Sequence, residues 1–167
     1  QRHRLLRATV HTDDGAPRAY LGLNDIVIKG SVSRITHLNM NIGCSFIEKF
    51  SGDGILIASS AGSTAYNYSL GGSIVDPRLD LLQITPIAPM NTTAFRCFTS
   101  SIVLPPDQEI RIVPEFECDR DALVIVDGME YTYAGVARMV IDLAPREVRL
   151  VRLQHYDFWN KVKTKFL

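Results

Sequence analysis

Residues Ser51–Pro89 read SGDGILIASSAGSTAYNYSLGGSIVDPRLDLLQITPIAP. An apolar run, Ile55 to Ala58, leads into Ser59-Ser60-Ala61-Gly62-Ser63-Thr64-Ala65-Tyr66, and the short helical stretch that follows stops at Gly71-Gly72. Gly, Ala and Ser carry little beyond Cβ, so a ligand or another backbone can come close here. Ser63 has the character of an N-cap, its hydroxyl accepting from backbone N–H groups two or three residues on. Thr64, Tyr66 and Ser69 then share the first turns. Hydroxyls and a phenol ring beside exposed N–H groups suit a flat, hydrogen-bonding ligand such as a nucleobase. The same residues equally describe a strand-to-helix corner that needs small side chains only for packing.

Outward from this stretch the chain reads as strands and turns. On its N-terminal side, residues 5–10, 20–29 and 35–42 are strand-like, with the turn cluster Asp13-Asp14-Gly15-Ala16-Pro17 between the first two. Leu38, Met40 and Ile42 alternate with Asn39 and Asn41, the period of a half-buried strand. Ile26-Val27-Ile28 is β-branched throughout and suits burial on both faces, which puts Asn24-Asp25 at a sheet's end. Residues 44–50 and 54–59 flank Gly52-Asp53-Gly54, a candidate hairpin loop. On the C-terminal side, strands are expected over Ser101–Leu104, Glu109–Val113, Ala122–Val126, Arg138–Leu143 and Glu147–Leu153. Asp127-Gly128, flanked by Val124-Ile125-Val126 and Met129-Glu130-Tyr131, is a two-residue hairpin signal. Phe158, Val162 and Phe166 fall on one face of a terminal helix, with Lys161 and Lys165 off it. The fold class is therefore mainly β: an antiparallel β-sandwich with one short helix after the GSTAY loop and a C-terminal helix. The all-β unit is expected over residues 1–154 and the helical tail over 155–167.

Composition narrows the function. At 167 residues the chain is one domain, long enough to bury roughly 70% of the surface its unfolded form exposes. Eighteen basic and eighteen acidic residues cancel, which argues against a nucleic-acid surface. No apolar run approaches the ~20 residues of a membrane span, and Gln1-Arg2-His3-Arg4 leads into no signal-peptide core. Cys44, Cys97 and Cys118 stand far apart and read as core fillers in a reducing compartment. His3, His11, His37 and His155 lie in no metal-ligand spacing. Ser63 sits in Gly-Ser-Thr, not in a hydrolase elbow, and the chain has no Gly-x-x-x-x-Gly-Lys-[Ser/Thr] phosphate loop.

The central stretch resembles the second domain of NAD kinases, whose signature runs GDG, TPTGSTAY, GGPI, then TPI and P. The matching residues are Gly52-Asp53-Gly54, Gly62-Ser63-Thr64-Ala65-Tyr66, Gly71-Gly72 and Thr85-Pro86-Ile87-Ala88-Pro89. The likeness continues through Leu23-Asn24-Asp25, Phe95-Arg96, Val103-Leu104-Pro105 and Val126-Asp127-Gly128, and so covers almost the whole chain. It departs at Ser59-Ser60-Ala61, where the family has Thr-Pro-Thr, and at Asp25, where the family usually has Glu.

The resemblance implies a domain that binds NAD and self-associates. The complete enzyme moves the γ-phosphoryl group of ATP, with Mg²⁺, onto the 2′-hydroxyl of NAD's adenosine ribose to give NADP. It places Asn24 and Asp25 at that ribose, Thr64, Ala65 and Ser69 at the adenine, Tyr66 against a ring face and Ala88 near the nicotinamide. Asp53 is implied to reach the ligand from its own or a neighbouring subunit of a dimer or tetramer. The resemblance also implies a tail packed on a first domain, and the composition and cysteine usage lead to the expectation of a cytoplasmic protein, with an organelle as the alternative. The aspartate thought to take the proton from the acceptor hydroxyl belongs to a GGDG motif, which this sequence does not contain. No catalytic residue is therefore assigned, and the chain by itself is expected to be inactive. A non-catalytic dinucleotide-binding or assembly module is the alternative. Lipid kinases of the related superfamily lack the Gly-Ser-Thr-Ala-Tyr signature.

Overall fold

A computed structural model describes residues 1–93, 96–152 and 156–166. The strand expectation at Leu153, the resemblance at Phe95, the spacing argument at His155 and the 154/155 boundary fall outside the described residues. Twelve strands are present among those described. They are β1 (Arg2–Thr12), β2 (Arg18–Gly22), β3 (Asp25–Gly30), β4 (Thr36–Ile42), β5 (Ser45–Gly52), β6 (Gly54–Ser59), β7 (Leu82–Ile87), β8 (Ile102–Leu104), β9 (Ile110–Pro114), β10 (Ala122–Val126), β11 (Met129–Tyr133) and β12 (Val136–Arg149). Two helices accompany them, α1 (Tyr66–Ser69) and α2 (Phe158–Phe166).

The strands form two six-stranded sheets, ordered β2-β1-β12-β9-β4-β5 and β11-β10-β3-β6-β7-β8, and every pairing is antiparallel. Alternation places Leu6, Ala8, Val10, Leu38, Met40, Phe50, Ile112 and Ile141 of the first sheet against Ile26, Ile28, Ile55, Ile57, Ile84 and Val124 of the second. At one side the sheets are tied by a hydrogen bond between the hydroxyls of Tyr20 on β2 and Tyr133 on β11. The expected mainly-β sandwich with a short helix and a C-terminal helix is what the chain forms.

Three local expectations change. The single strand foreseen over 20–29 is two strands in different sheets, because the chain crosses over at Leu23-Asn24. Gly52-Asp53-Gly54 is likewise a crossover, from β5 to β6, and not a hairpin. A Cβ on Gly54 would lie 2.3 Å from the carbonyl oxygen of Ile28, so only glycine allows the second sheet to start there. The two strands foreseen over 138–153 are one strand, β12, with a bulge: its register against β1 jumps from Leu6↔Leu143 to Arg4↔Glu147. Pro145 has no N–H to place in a ladder, and the bulge accommodates it. Arg4 donates to the carbonyls of Leu143 and Ala144 at 3.0 and 3.2 Å.

The middle strands of the second sheet, β3, β6 and β7, are buried on both faces. On the sheet's outer side Val27, Leu56, Ala58 and Ile87 form a second apolar cluster, with Leu70 packed on it. The excursion between β6 and β7 supplies that cover, and it carries most of the candidate site.

Candidate functional site

β6 ends at Ser59, and a 3₁₀ turn over Ala61–Thr64 leads through Ala65 into α1. Ser63 is not the N-cap foreseen. Its hydroxyl is fully buried, donates to the Val75 carbonyl at 3.3 Å and accepts from the Val75 N–H at 3.1 Å. Asn67, also fully buried, donates to the carbonyls of Ser63 and Ser73 and accepts from the Thr85 hydroxyl at 2.7 Å. Gln83 accepts from the Ser73 N–H at 2.7 Å and donates to the Ser73 carbonyl at 3.2 Å. These contacts pin the Gly71–Val75 loop onto the sheet, and each buried amide is matched, as burial demands.

A second loop meets this one. A Cβ on Gly62 would fall 1.9 Å from the Asn24 carbonyl oxygen, so the Leu23–Asp25 crossover rests directly on the glycine backbone. Ser59 grips the carbonyl side of the crossover: its N–H donates to Asn24 at 3.0 Å and its hydroxyl to Leu23 at 2.5 Å. The amide side is held from β10–β11, where Asp127 and Gly128 form the hairpin turn at φ 48° and 84°. The Asp127 carboxylate accepts from the N–H groups of Leu23, Asn24 and Asp25 at 2.6, 2.7 and 3.1 Å. Asp25 is 7% exposed. Burial, and then the facing Asp127 charge, push its carboxyl up to about 6.

The polar residues of this region divide into two sets. Ser59, Ser63, Asn67, Gln83 and Asp127 spend their side chains on backbone groups and, for Asn67, also on the Thr85 hydroxyl. The side chains of Asn24, Asp25, Thr64, Tyr66 and Ser69 make no hydrogen bond among the described residues, and the Tyr66 ring is 44% exposed. The structure thus brings the Asn24-Asp25 crossover against the turn that carries Thr64, Ala65, Tyr66 and Ser69.

It leaves two expected members elsewhere. Asp53 and Ala88 stand beside each other at the opposite end of β6: the Asp53 N–H donates to Ile87 at 3.0 Å, and Ala88 has φ 44°. Five residue steps along β6 separate Gly54 from Ser59, about 17 Å. Asp53 borders a separate cavity of about 470 Å³ with Lys29, Arg34 and Leu123.

The tail lies back on the same excursion. The rings of Phe166 and Tyr68 are 4.6 Å apart, Val162 is buried, and Trp159 Nε1 donates to Asp76 at 3.2 Å. Of the cysteines only Cys97 is a core filler; Cys44 and Cys118 are exposed. Among the described residues no three His, Cys, Asp or Glu side chains could hold a metal together, so no residue here is assigned to Mg²⁺. No helix of the described residues is long and apolar enough to cross a membrane.

Sequence reading missed Asn67, Gln83 and the holding roles of Ser59 and Asp127. Gln83 left a signal, being a lone amide in the run Leu82–Ile87 whose every position is buried.

Comparison with known proteins gives the family. The ATP-NAD kinase C-terminal domain matches residues 23–153. An NAD kinase of Lactobacillus johnsonii is 37% identical over 163 residues, and one of Lactobacillus delbrueckii subsp. bulgaricus 39%. In both cases the match covers 98% of this chain and 60% of the relative, so the chain spans about three-fifths of the proteins it matches. Yeast NADH kinase complexed with NADH superposes with a TM-score of 0.70 at 28% identity, over 84% of this chain and 40% of that one. An NAD kinase from Archaeoglobus fulgidus in complex with ATP gives 0.66 at 24% identity, over 87% and 53%, and supports the fold alone. The match over residues 23–153, which takes in the Asn24-Asp25 crossover, the Gly62–Ser69 turn and the Asp127 hairpin, places this chain in the ATP-NAD kinase C-terminal domain family.

Proposed function

We propose that this chain is the dinucleotide-binding part of an NAD kinase, which transfers the γ-phosphoryl group of ATP to the adenosine 2′-hydroxyl of NAD. The observation that carries the reading is the division of polar side chains. Asn24, Asp25, Thr64, Tyr66 and Ser69 have no partner among the described residues, while the neighbours that hold their backbones are all engaged. Asn24 and Asp25 face the adenosine ribose, Thr64, Ala65 and Ser69 the adenine, and the exposed Tyr66 ring stacks on a base. Asp53 and Ala88, at the far end of β6, complete the site of a second copy in a dimer or tetramer. Mg²⁺ bound with ATP would supply charge neutralisation at the phosphates, and no described residue of this chain is assigned to hold it. Residues 1–154 bind and assemble, 155–167 form the tail, and the protein works in the cytoplasm. The likeness to a yeast NADH kinase holding NADH supports the choice of ligand.

The test is thermal stability with and without NAD. Ligand at a hundredfold excess over Kd adds about 2.7 kcal/mol to the wild-type chain. Tyr66→Ala should lose most of that shift, and Lys163→Ala, on the exposed side of α2, should keep it. Equal shifts for wild type and Tyr66→Ala would remove the ring from the site.

A further inference from the structure

A hairpin turn with two positive-φ residues asks for Asp or Asn followed by Gly, and it asks nothing of the carboxylate. Here the carboxylate is committed elsewhere. It accepts three successive backbone N–H groups, Leu23, Asn24 and Asp25, from a loop about a hundred residues earlier in the chain. The return bond, from the Asp127 N–H to the Asp25 carbonyl at 3.1 Å, fixes the same segment from the same turn. Ser59 takes the opposite side through the carbonyls of Leu23 and Asn24. The crossover is therefore held by its backbone from both sides, and the Asn24 and Asp25 side chains are aimed without any hydrogen bond of their own among the described residues.

The arrangement is electrostatically costly. A second carboxylate beside a buried aspartate disfavours the charge on that aspartate, which is what Asp25 experiences. A carboxylate holds the three N–H groups more tightly than a neutral acceptor would, and that gain is set against the opposition it offers Asp25.

We propose that Asp127 is a positioning residue which, with Ser59, fixes the Asn24–Asp25 crossover and so sets the preference for a dinucleotide that bears hydroxyls on its adenosine ribose. The proposal rests on the reading of this corner as a dinucleotide site. Asp127 acts through the backbone it holds, and Asn24 and Asp25 make the contact. Three parallel N–H···O⁻ bonds restrict the φ/ψ freedom of three residues at once, which pre-pays the ordering that a ribose would otherwise impose on the loop.

The variant that tests this is Asp127→Gly. Glycine adopts the φ of 48° without strain, so the hairpin is kept while the carboxylate is lost. Asp127→Asn is the second variant, since asparagine also tolerates this φ and keeps one acceptor. Calorimetric titration compares NAD with its 2′,3′-dideoxyadenosine analogue. Wild type should bind NAD roughly 10- to 150-fold more tightly than the analogue, the range expected for hydrogen bonds to a charged group. In Asp127→Gly that preference should fall towards one, through weaker NAD binding with analogue binding unchanged, and Asp127→Asn should recover part of it. A wild-type preference that survives in both variants, with both ligands weakened equally, reduces Asp127 to a structural support and overturns the inference while the site stands. Equal binding of the two ligands by wild type overturns it too, because the crossover then does not read the ribose. Binding of neither ligand removes the dinucleotide reading itself, and the inference with it.

Discussion

At Asp25, a carboxylate with no hydrogen-bond partner among the described residues is set against fold stability. Its carboxyl titrates near 6 in the folded chain, well above the ordinary aspartate value of 3.8. A raised pKa means that the folded state holds the proton more tightly than the unfolded one. Asp25 therefore favours folding as the pH falls from about 6 towards 4, and its ionised form costs stability at neutral pH. Asp25→Asn should raise the unfolding free energy at pH 7 by about 1 to 3 kcal/mol, and the melting temperature with it, and the gain should shrink by pH 4.5. NAD affinity should fall in the same variant, because a charged acceptor for a ribose hydroxyl is gone. Calorimetry at the two pH values checks both; an unchanged melting temperature at pH 7 would mean that Asp127 and burial impose no such cost. Asn24 and Asp25 were reached only through the family resemblance, while Thr64, Tyr66 and Ser69 were legible as polar side chains sharing the turns after Ser63. Asn67 was not, since its meaning lies in Thr85, which only folding brings within 2.7 Å. Asn67→Ala should orphan that hydroxyl inside the fold and cost about 2 kcal/mol in denaturant unfolding.

At the scale of elements, the alternation of Leu38, Met40 and Ile42 and the β-branched run Ile26–Ile28 announced β4 and β3 correctly. What the pattern cannot carry is a change of sheet. β2 and β3 read as one strand because Leu21 to Ile28 offers no proline, and the break at Leu23-Asn24 is imposed by Asp127 from far along the chain. β12 read as two strands because Pro145 punctuates it, yet a bulge absorbs the proline where β1 runs alongside. The amphipathic face of α2 was visible; its seat was not. In the structure that seat is α1 and the Asp76 loop, with Arg78 and Trp159 both donating to Asp76 and holding its carboxyl well below the usual range. Trp159 is the only tryptophan, so its fluorescence reports on the tail alone. Asp76→Ala should free the indole N–H and raise the tail's mobility, seen as lower anisotropy, while NAD binding changes little. Anisotropy that stays at the wild-type value would place the hold on α2 in Phe166 and Val162 instead.

At the scale of the whole molecule, the separation along β6 frames how Asp53 could share a ligand with Tyr66. Asn24, Asp25, Thr64 and Tyr66 gather at its Ser59 end, and Asp53 with Ala88 at its Gly54 end, about 17 Å away. A single chain cannot close its own Asp53 onto its own Tyr66 without unpairing β6 from β3 and β7, two ladders that run its full length. Asp53 can therefore meet a dinucleotide held at Tyr66 in two ways: the extended ligand spans the distance along one chain, or Asp53 comes across an interface, in which case symmetry gives each copy one complete site built from two chains. The consequence can be measured by mixing. Asp53→Ala and Tyr66→Ala should each bind NAD poorly alone. In a hybrid dimer the intact Tyr66 of one chain meets the intact Asp53 of the other, and the second site carries both lesions. Unfolding and refolding the two variants together should therefore restore about a quarter of the wild-type binding sites at full affinity. Were Asp53 to act within its own chain, no combination could recover a site, and titration of the mixture would match the average of its parts.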